Sequence, residues 1–126
     1  MVEQALQTRV AWVDTDAGGR IHFTAAFRWA EAAETELMRR LGILNGEWGD
    51  YPRRKVEAEY LKVLRFGDEI DIRLRVEKVG RTSVTYAWTI AKDGEAHIKG
   101  RHTIVHVDTD GHPEPLDDAL RAALDA

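Results

Sequence analysis

Apolar and polar residues alternate with a period of two through most of the chain beyond residue 52. The stretches RRKVEAEYLKVL (53–64), DEIDIRLRVEKV (68–79), RTSVTYAWTI (81–90) and EAHIKGRHTIVHV (95–107) each predict a strand. Side chains along a strand point to its two faces in turn, which produces this alternation. Turn-forming residues separate the stretches at Phe66-Gly67-Asp68, Val79-Gly80-Arg81 and Lys92-Asp93-Gly94. The Asp-Gly pair is the strongest of these signals, since a tight hairpin needs positive φ at both of its central residues. Four strands in succession with short turns predict an antiparallel meander. Earlier in the chain the texture differs. Leu6 to Val13 alternate well enough for a first strand, and DTDAGG then breaks the pattern. Residues 24–41, TAAFRWAEAAETELMRRL, are rich in helix formers, with Thr24 at the N-cap position. Phe27, Ala30, Leu37 and Leu41 recur at helical spacing as a core-facing stripe, and Gly42 is a natural stop. Residues 43–52 read as a loop, DTDGHPEP ends the sheet, and LDDALRAALDA predicts a short acidic terminal helix.

One long helix beside about five antiparallel strands is an α+β arrangement, and 126 residues suit a single domain spanning 1–126. One helix covers one face of a sheet, yet VTYAWTI carries apolar or aromatic residues on both. A second copy of the chain is therefore expected as a partner, because large exposed apolar patches are rare in monomers.

Composition narrows the chemistry. Hydrophobic residues make up 44% and charged residues 32%, an ordinary soluble balance. The net charge of −4 argues against a nucleic-acid binder, which would be basic. No apolar run approaches the roughly 20 residues needed to span a bilayer. The first ten residues, MVEQALQTRV, lack the basic-then-apolar form of a signal peptide, so the expected location is the cytoplasm. Cysteine is absent, which removes disulfides, thiolate metal sites and a cysteine nucleophile. The sole serine, Ser83, lies in a predicted strand and outside any nucleophile elbow. Carboxylates, histidines and backbone dipoles are left to carry any catalysis.

Those groups concentrate in WVDTDAGGRIHF, residues 12–23. Asp14 ends a predicted strand, where fixing the loop is the commoner task. Asp16 is either an Asx-turn residue or a catalyst. Gly18 and Gly19 let the backbone turn sharply and let a ligand approach. Together with FTAAFRWAEAAETELMRRLG, the stretch resembles the motif of hotdog-fold acyl-CoA thioesterases of the 4-hydroxybenzoyl-CoA thioesterase type. That motif reads acid-x-Asp-x-x-Gly-x-x-aromatic-x-x-x-aromatic at the entry to a central helix. VEAEYLKVLRFGDEIDIRLRVEKVGRTSVTYAWTI is similar to the family's strands, and the likeness extends over residues 5–115.

The resemblance implies a helix wrapped by a curved antiparallel sheet, paired into a homodimer or a tetramer of dimers, with active sites between subunits. It implies hydrolysis of a coenzyme A thioester, less often of an acyl carrier protein thioester, with no metal or tightly bound cofactor. Asp16 would be the nucleophile or general base, and the backbone N–H of Phe23 the oxyanion donor. His22, Thr24, Ala25, Ala26, Gly18 and Gly19 would border the substrate. Many relatives carry a tyrosine or tryptophan where His22 stands, and one large branch has histidine at the next position instead. They have asparagine or serine in place of Ala25 and tyrosine in place of Ala26, so these positions bear on substrate identity.

Other readings remain open at this stage. Hotdog branches that place the carboxylate on the helix make Glu31 or Glu34 alternatives, although pairing with Arg28, Arg39 or a partner subunit is the commoner fate of such residues. Arg53-Arg54-Lys55 could meet CoA phosphates or simply blunt a sheet edge. His97, His102, His106 and His112 lack helical metal-ligand spacing, and His102 with His106 read as one strand face. A dehydratase would need a Pro-Gly loop that is absent here. An acyl-binding scaffold without turnover is the remaining non-enzyme reading.

Overall fold

The computed structural model describes residues 1–43 and 51–126, so most of the expected 43–52 loop lies outside the described residues. Strands β1 (Glu3–Arg9), β2 (Arg53–Tyr60), β3 (Glu69–Val79), β4 (Ser83–Lys92) and β5 (Glu95–Val105) form one antiparallel sheet. Helix α1 (Ala25–Arg40) follows a short 3₁₀ turn at Trp12–Asp14, and α2 (Asp118–Asp125) closes the chain.

The strand order is β1-β3-β4-β5-β2, which corrects the simple meander. Only β3, β4 and β5 run as consecutive neighbours. The expected β2–β3 hairpin does not form, because β2 sits at the far edge against β5 and the chain crosses over through residues 61–68. Leu64, with no exposed surface, anchors that crossover in the core. The β4–β5 turn is as expected, with Asp93 at φ 52° and Gly94 at φ 78°, the double positive φ of a type I′ hairpin. The first strand starts and ends earlier than its alternation suggests. Val10 leaves the ladder and is buried, and Trp12 and Val13 are turned outward by the 3₁₀ turn.

One face of the sheet holds the core. Ile70, Ile72, Leu74 and Val76 of β3 line it with Val84, Tyr86, Trp88 and Ile90 of β4 and Ile98 and Ile104 of β5. Against them α1 sets Ala26, Ala30, Ala33 and Leu37, whose small side chains bring the helix close to the strands. The stripe is broader than the predicted one, taking in Trp29 and Met38, while Phe27 and Leu41 lie at its partly buried margin. Trp88 lies across its strand partner Gly100, where an added Cβ would come within 2.2 Å of the indole. At the other end Asp117 caps α2 by accepting from the Ala119 and Leu120 N–H groups, and Leu120 and Leu124 seal the core there.

Candidate functional site

The loop from Val10 to Phe23 is held from below by the crossover. Val10 N–H donates to Asp68 O (2.9 Å), Gly67 N–H to Val10 O (2.9 Å) and Ile21 N–H to Leu64 O (3.1 Å). Within the loop, Asp16 N–H donates to Arg20 O (2.8 Å) and His22 N–H to Asp14 O (2.7 Å), which folds the DTDAGG segment into a small hairpin. Gly19 takes φ +79°, a value that a residue with a Cβ adopts only under strain.

The two acids part company. Asp14 is buried, accepts from Ala11 N–H (2.9 Å) and from the Arg28 guanidinium (3.0 Å), and serves as scaffold. Asp16 is exposed. Its Oδ1 accepts from Gly18 N–H at 2.7 Å in an Asx turn, and its Oδ2 carries no hydrogen bond among the described residues. The carboxylate is thus oriented by one oxygen and open at the other. Phe23 is exposed, and its backbone N–H donates to no group among the described residues, while the N–H groups on either side of it are engaged. It stands two residues before α1, where the helix leaves unpaired donors and a partial positive charge.

Thr24 occupies the N-cap position without capping. Its backbone is already helical (φ −71°, ψ −17°), so its hydroxyl cannot reach back over the first turn. Its Oγ1 instead meets His22 Nδ1 at 2.7 Å and accepts from Arg28 at 3.2 Å. Gly18, Gly19 and His22 are exposed on the same loop, whereas Ala25 and Ala26 have no exposed surface and belong to the core.

Glu34 is taken up elsewhere. It is 1% exposed, accepts from Arg53 at 2.7 Å and meets His102 Nε2 at 2.8 Å, rather than pairing with Arg28 or Arg39. Trp88 Nε1 donates to His102 Nδ1 at 3.1 Å. The indole can only donate, so Nδ1 must be bare and the neutral ring donates through Nε2 to Glu34. Beside this network the buried Tyr86 hydroxyl has no hydrogen-bond partner. Burial first, then the Glu34 charge, push it well above its ordinary value. Glu31 lies in solvent, 3.4 Å from Arg53. The crowding of Glu34 leaves Asp16 as the carboxylate with an open oxygen on the candidate loop.

The remaining histidines are dispersed: His97 bonds Glu95 O, His106 bonds Pro115 O, and His112 faces Asp108. Of the basic run, Arg53 turns to Glu34, and Arg54 and Lys55 stay exposed on the β2 edge.

Apolar residues left in the open gather around the loop and that edge. Trp12, Val13, Phe23, Val56, Tyr60, Leu61, Val63 and Phe66 are each at least 43% exposed. Between them lies a cavity of about 260 Å³ walled by Ile21, Phe23, Tyr60, Leu61, Val63 and Leu64, with Arg20 and Lys62 at its rim. The Tyr60 hydroxyl donates to the Phe23 carbonyl across the cavity. Sequence reasoning missed this tie. Tyr60 reads as an ordinary strand residue, and its partner is 37 positions away. Arg28 was legible only in part, since it lies one helical turn from Thr24 but reaches Asp14 across the loop.

The profile of the thioesterase-like superfamily matches residues 10–124. A 1,4-dihydroxy-2-naphthoyl-CoA hydrolase of Prochlorococcus marinus is 31% identical over 102 residues, covering 71% of this chain and 66% of that relative. A Thermus thermophilus thioesterase solved with coenzyme A and zinc is 26% identical at a TM-score of 0.85, covering 96% of this chain and 91% of that one. A 1,4-dihydroxy-2-naphthoyl-CoA thioesterase of Synechocystis shares the fold at a TM-score of 0.88 with 14% identity, covering 98% and 96% of the two chains. Helix, sheet order and neighbours together are those of the hotdog fold, and the chain belongs to the thioesterase-like superfamily.

Proposed function

We propose that the protein hydrolyses acyl-CoA thioesters, using Asp16 and the Phe23 N–H. The observation that carries this reading is the pairing, on one loop, of a carboxylate with a free oxygen and an unspent N–H at a helix start. In the general-base form of the reaction, Asp16 Oδ2 takes a proton from water as the water oxygen attacks the thioester carbonyl carbon. Charge gathers on the carbonyl oxygen, and the Phe23 N–H donates to it. The C–S bond then breaks, and the proton held by Asp16 passes to the departing thiolate. In the nucleophilic form, the same oxygen attacks the carbonyl carbon, the C–S bond breaks to release the thiolate, and water then cleaves the anhydride, which returns the Asp16 carboxylate and supplies the proton the thiolate takes up.

The apolar cavity beside Phe23 receives the acyl group, and the rings of Phe23 and Tyr60 favour an aromatic one. A homodimer formed along the β2 edge would cover the apolar residues clustered there. Among the described residues no helix is long and apolar enough to cross a membrane.

A panel of aromatic and aliphatic acyl-CoAs, followed by thiol release, tests the reading. Aromatic acyl groups should be cleaved faster than short aliphatic ones. Failure to cleave any member would sink the proposal. Tyr60→Phe keeps the ring in the cavity wall but frees the Phe23 carbonyl. One neutral hydrogen bond is worth about 1 kcal/mol, so kcat should fall about fivefold. An unchanged kcat would show that the Phe23 peptide is held by other contacts.

A further inference from the structure

We propose that Arg28 is a positioning residue: with Asp14 and Thr24 it holds His22 as the Nε2–H tautomer, a second donor to the substrate carbonyl. The inference rests on the thioesterase reading of this loop.

Donor accounting decides the tautomer. The Arg28 guanidinium has only hydrogens to offer. One nitrogen donates to the buried carboxylate of Asp14 at 3.0 Å, which fixes the side chain. The other donates to Thr24 Oγ1 at 3.2 Å, so that oxygen accepts there. The Thr24 hydroxyl hydrogen then has an acceptor in His22 Nδ1, 2.7 Å away. The Thr24 backbone N–H also points at Nδ1, at 3.3 Å, and it too can only donate. Both contacts favour a bare Nδ1, and the neutral ring then carries its hydrogen on Nε2. That nitrogen has no protein partner, and the ring is exposed and stacked on Phe23 with centroids 4.7 Å apart. Two outward donors thus sit on consecutive residues, the Phe23 N–H and the His22 Nε2–H. The backbone contact is the longer of the two, so without Arg28 the Thr24 hydroxyl can turn its hydrogen away and accept from Nδ1–H, with only the 3.3 Å contact opposing it.

Long-range ¹⁵N–¹H correlation spectra report the tautomer directly, with the His22 signals assigned by comparison with His22→Gln. The wild type should show a bare Nδ1. Arg28→Met and Thr24→Val should raise the Nδ1–H population and lower kcat about tenfold, below the full loss of an oxyanion donor, with KM within about twofold. Thr24→Ser, which keeps the hydroxyl, should restore both readouts. Thr24→Val guards against loss of folding in Arg28→Met, since it leaves the Asp14 pair intact. A wild type protonated at Nδ1 overturns the inference. So does a Thr24→Val protein whose tautomer or kcat is unchanged, and hydrolysis that continues in these cases leaves the thioesterase reading standing. A locked tautomer in a protein that cleaves no acyl-CoA overturns that reading and, with it, the role given to the Nε2–H.

Discussion

Asp16→Asn should lower kcat on the best acyl-CoA of the panel by about 10²–10⁴-fold, the range associated with loss of a general base. The substitution is nearly isosteric, and its geometry is favourable. An asparagine side-chain oxygen still accepts from Gly18 N–H, so the Asx turn seen at 2.7 Å survives. What disappears is the charge and basicity at the second oxygen, the one that no protein group engages. Stability should stay within about 0.5 kcal/mol, as expected of an exposed position whose local hydrogen bond is retained. Steady-state kinetics and a urea titration of the same preparation separate the two effects. Asp16→Ala also removes the turn, so a further loss of activity in that variant would measure the worth of orientation. Wild-type turnover by Asp16→Asn would remove the carboxylate from the mechanism, whether as base or as nucleophile.

The sequence reading reached the helix, the sheet content and the loop for reasons that are local. Alternation marks β3 because buried and open positions alternate along it, it persists in β4 although the second face there is partly covered, and Asp93-Gly94 sets its own turn through backbone conformation. The position of β2 is not local. Its pairing with β5 rather than β3 depends on how the crossover threads Leu64 into the core, and alternation says nothing about which neighbour a strand takes. The early end of β1 is similar. Val13 continues the apolar period, yet Asp14 closes a 3₁₀ turn by capturing the Ala11 N–H, and the backbone leaves the sheet.

At the candidate site, residue types were readable and partnerships were not. The resemblance singled out Asp16, Phe23 and the glycines, and the open oxygen of Asp16, the free N–H of Phe23 and the positive φ of Gly19 are consistent with the parts proposed for them. Thr24 looked like a cap because threonine often is one, but His22 and Arg28 compete for its hydroxyl and win it. Glu34 read as a helix carboxylate paired with Arg28, Arg39 or a partner subunit. Its partners instead come from β2 and β5, 19 and 68 positions away. Contacts over such separations leave no periodic trace in a single sequence.

That buried carboxylate sets the largest expected effect on stability. Arg53→Met should destabilise the fold by about 3 kcal/mol, the lower end of the range for breaking a buried ion pair. His102 brings no charge to offset Glu34. Because Trp88 donates to its Nδ1, the imidazole is neutral and offers Glu34 a hydrogen bond without a charge. Arg53 is then the cation in contact with Glu34, and methionine removes it while keeping the aliphatic stem. The lower end applies because the Arg53 side chain is 31% exposed, so water can partly replace it, whereas the Glu34 side chain is 1% exposed. Adding Glu34→Gln to Arg53→Met should return more than half of the loss. The amide oxygen keeps the His102 bond and the charge is gone. Urea midpoints at a common slope read both variants. A single variant that loses less than about 1 kcal/mol, or a double variant no more stable than the single, would mean that Glu34 is not a charge in need of Arg53.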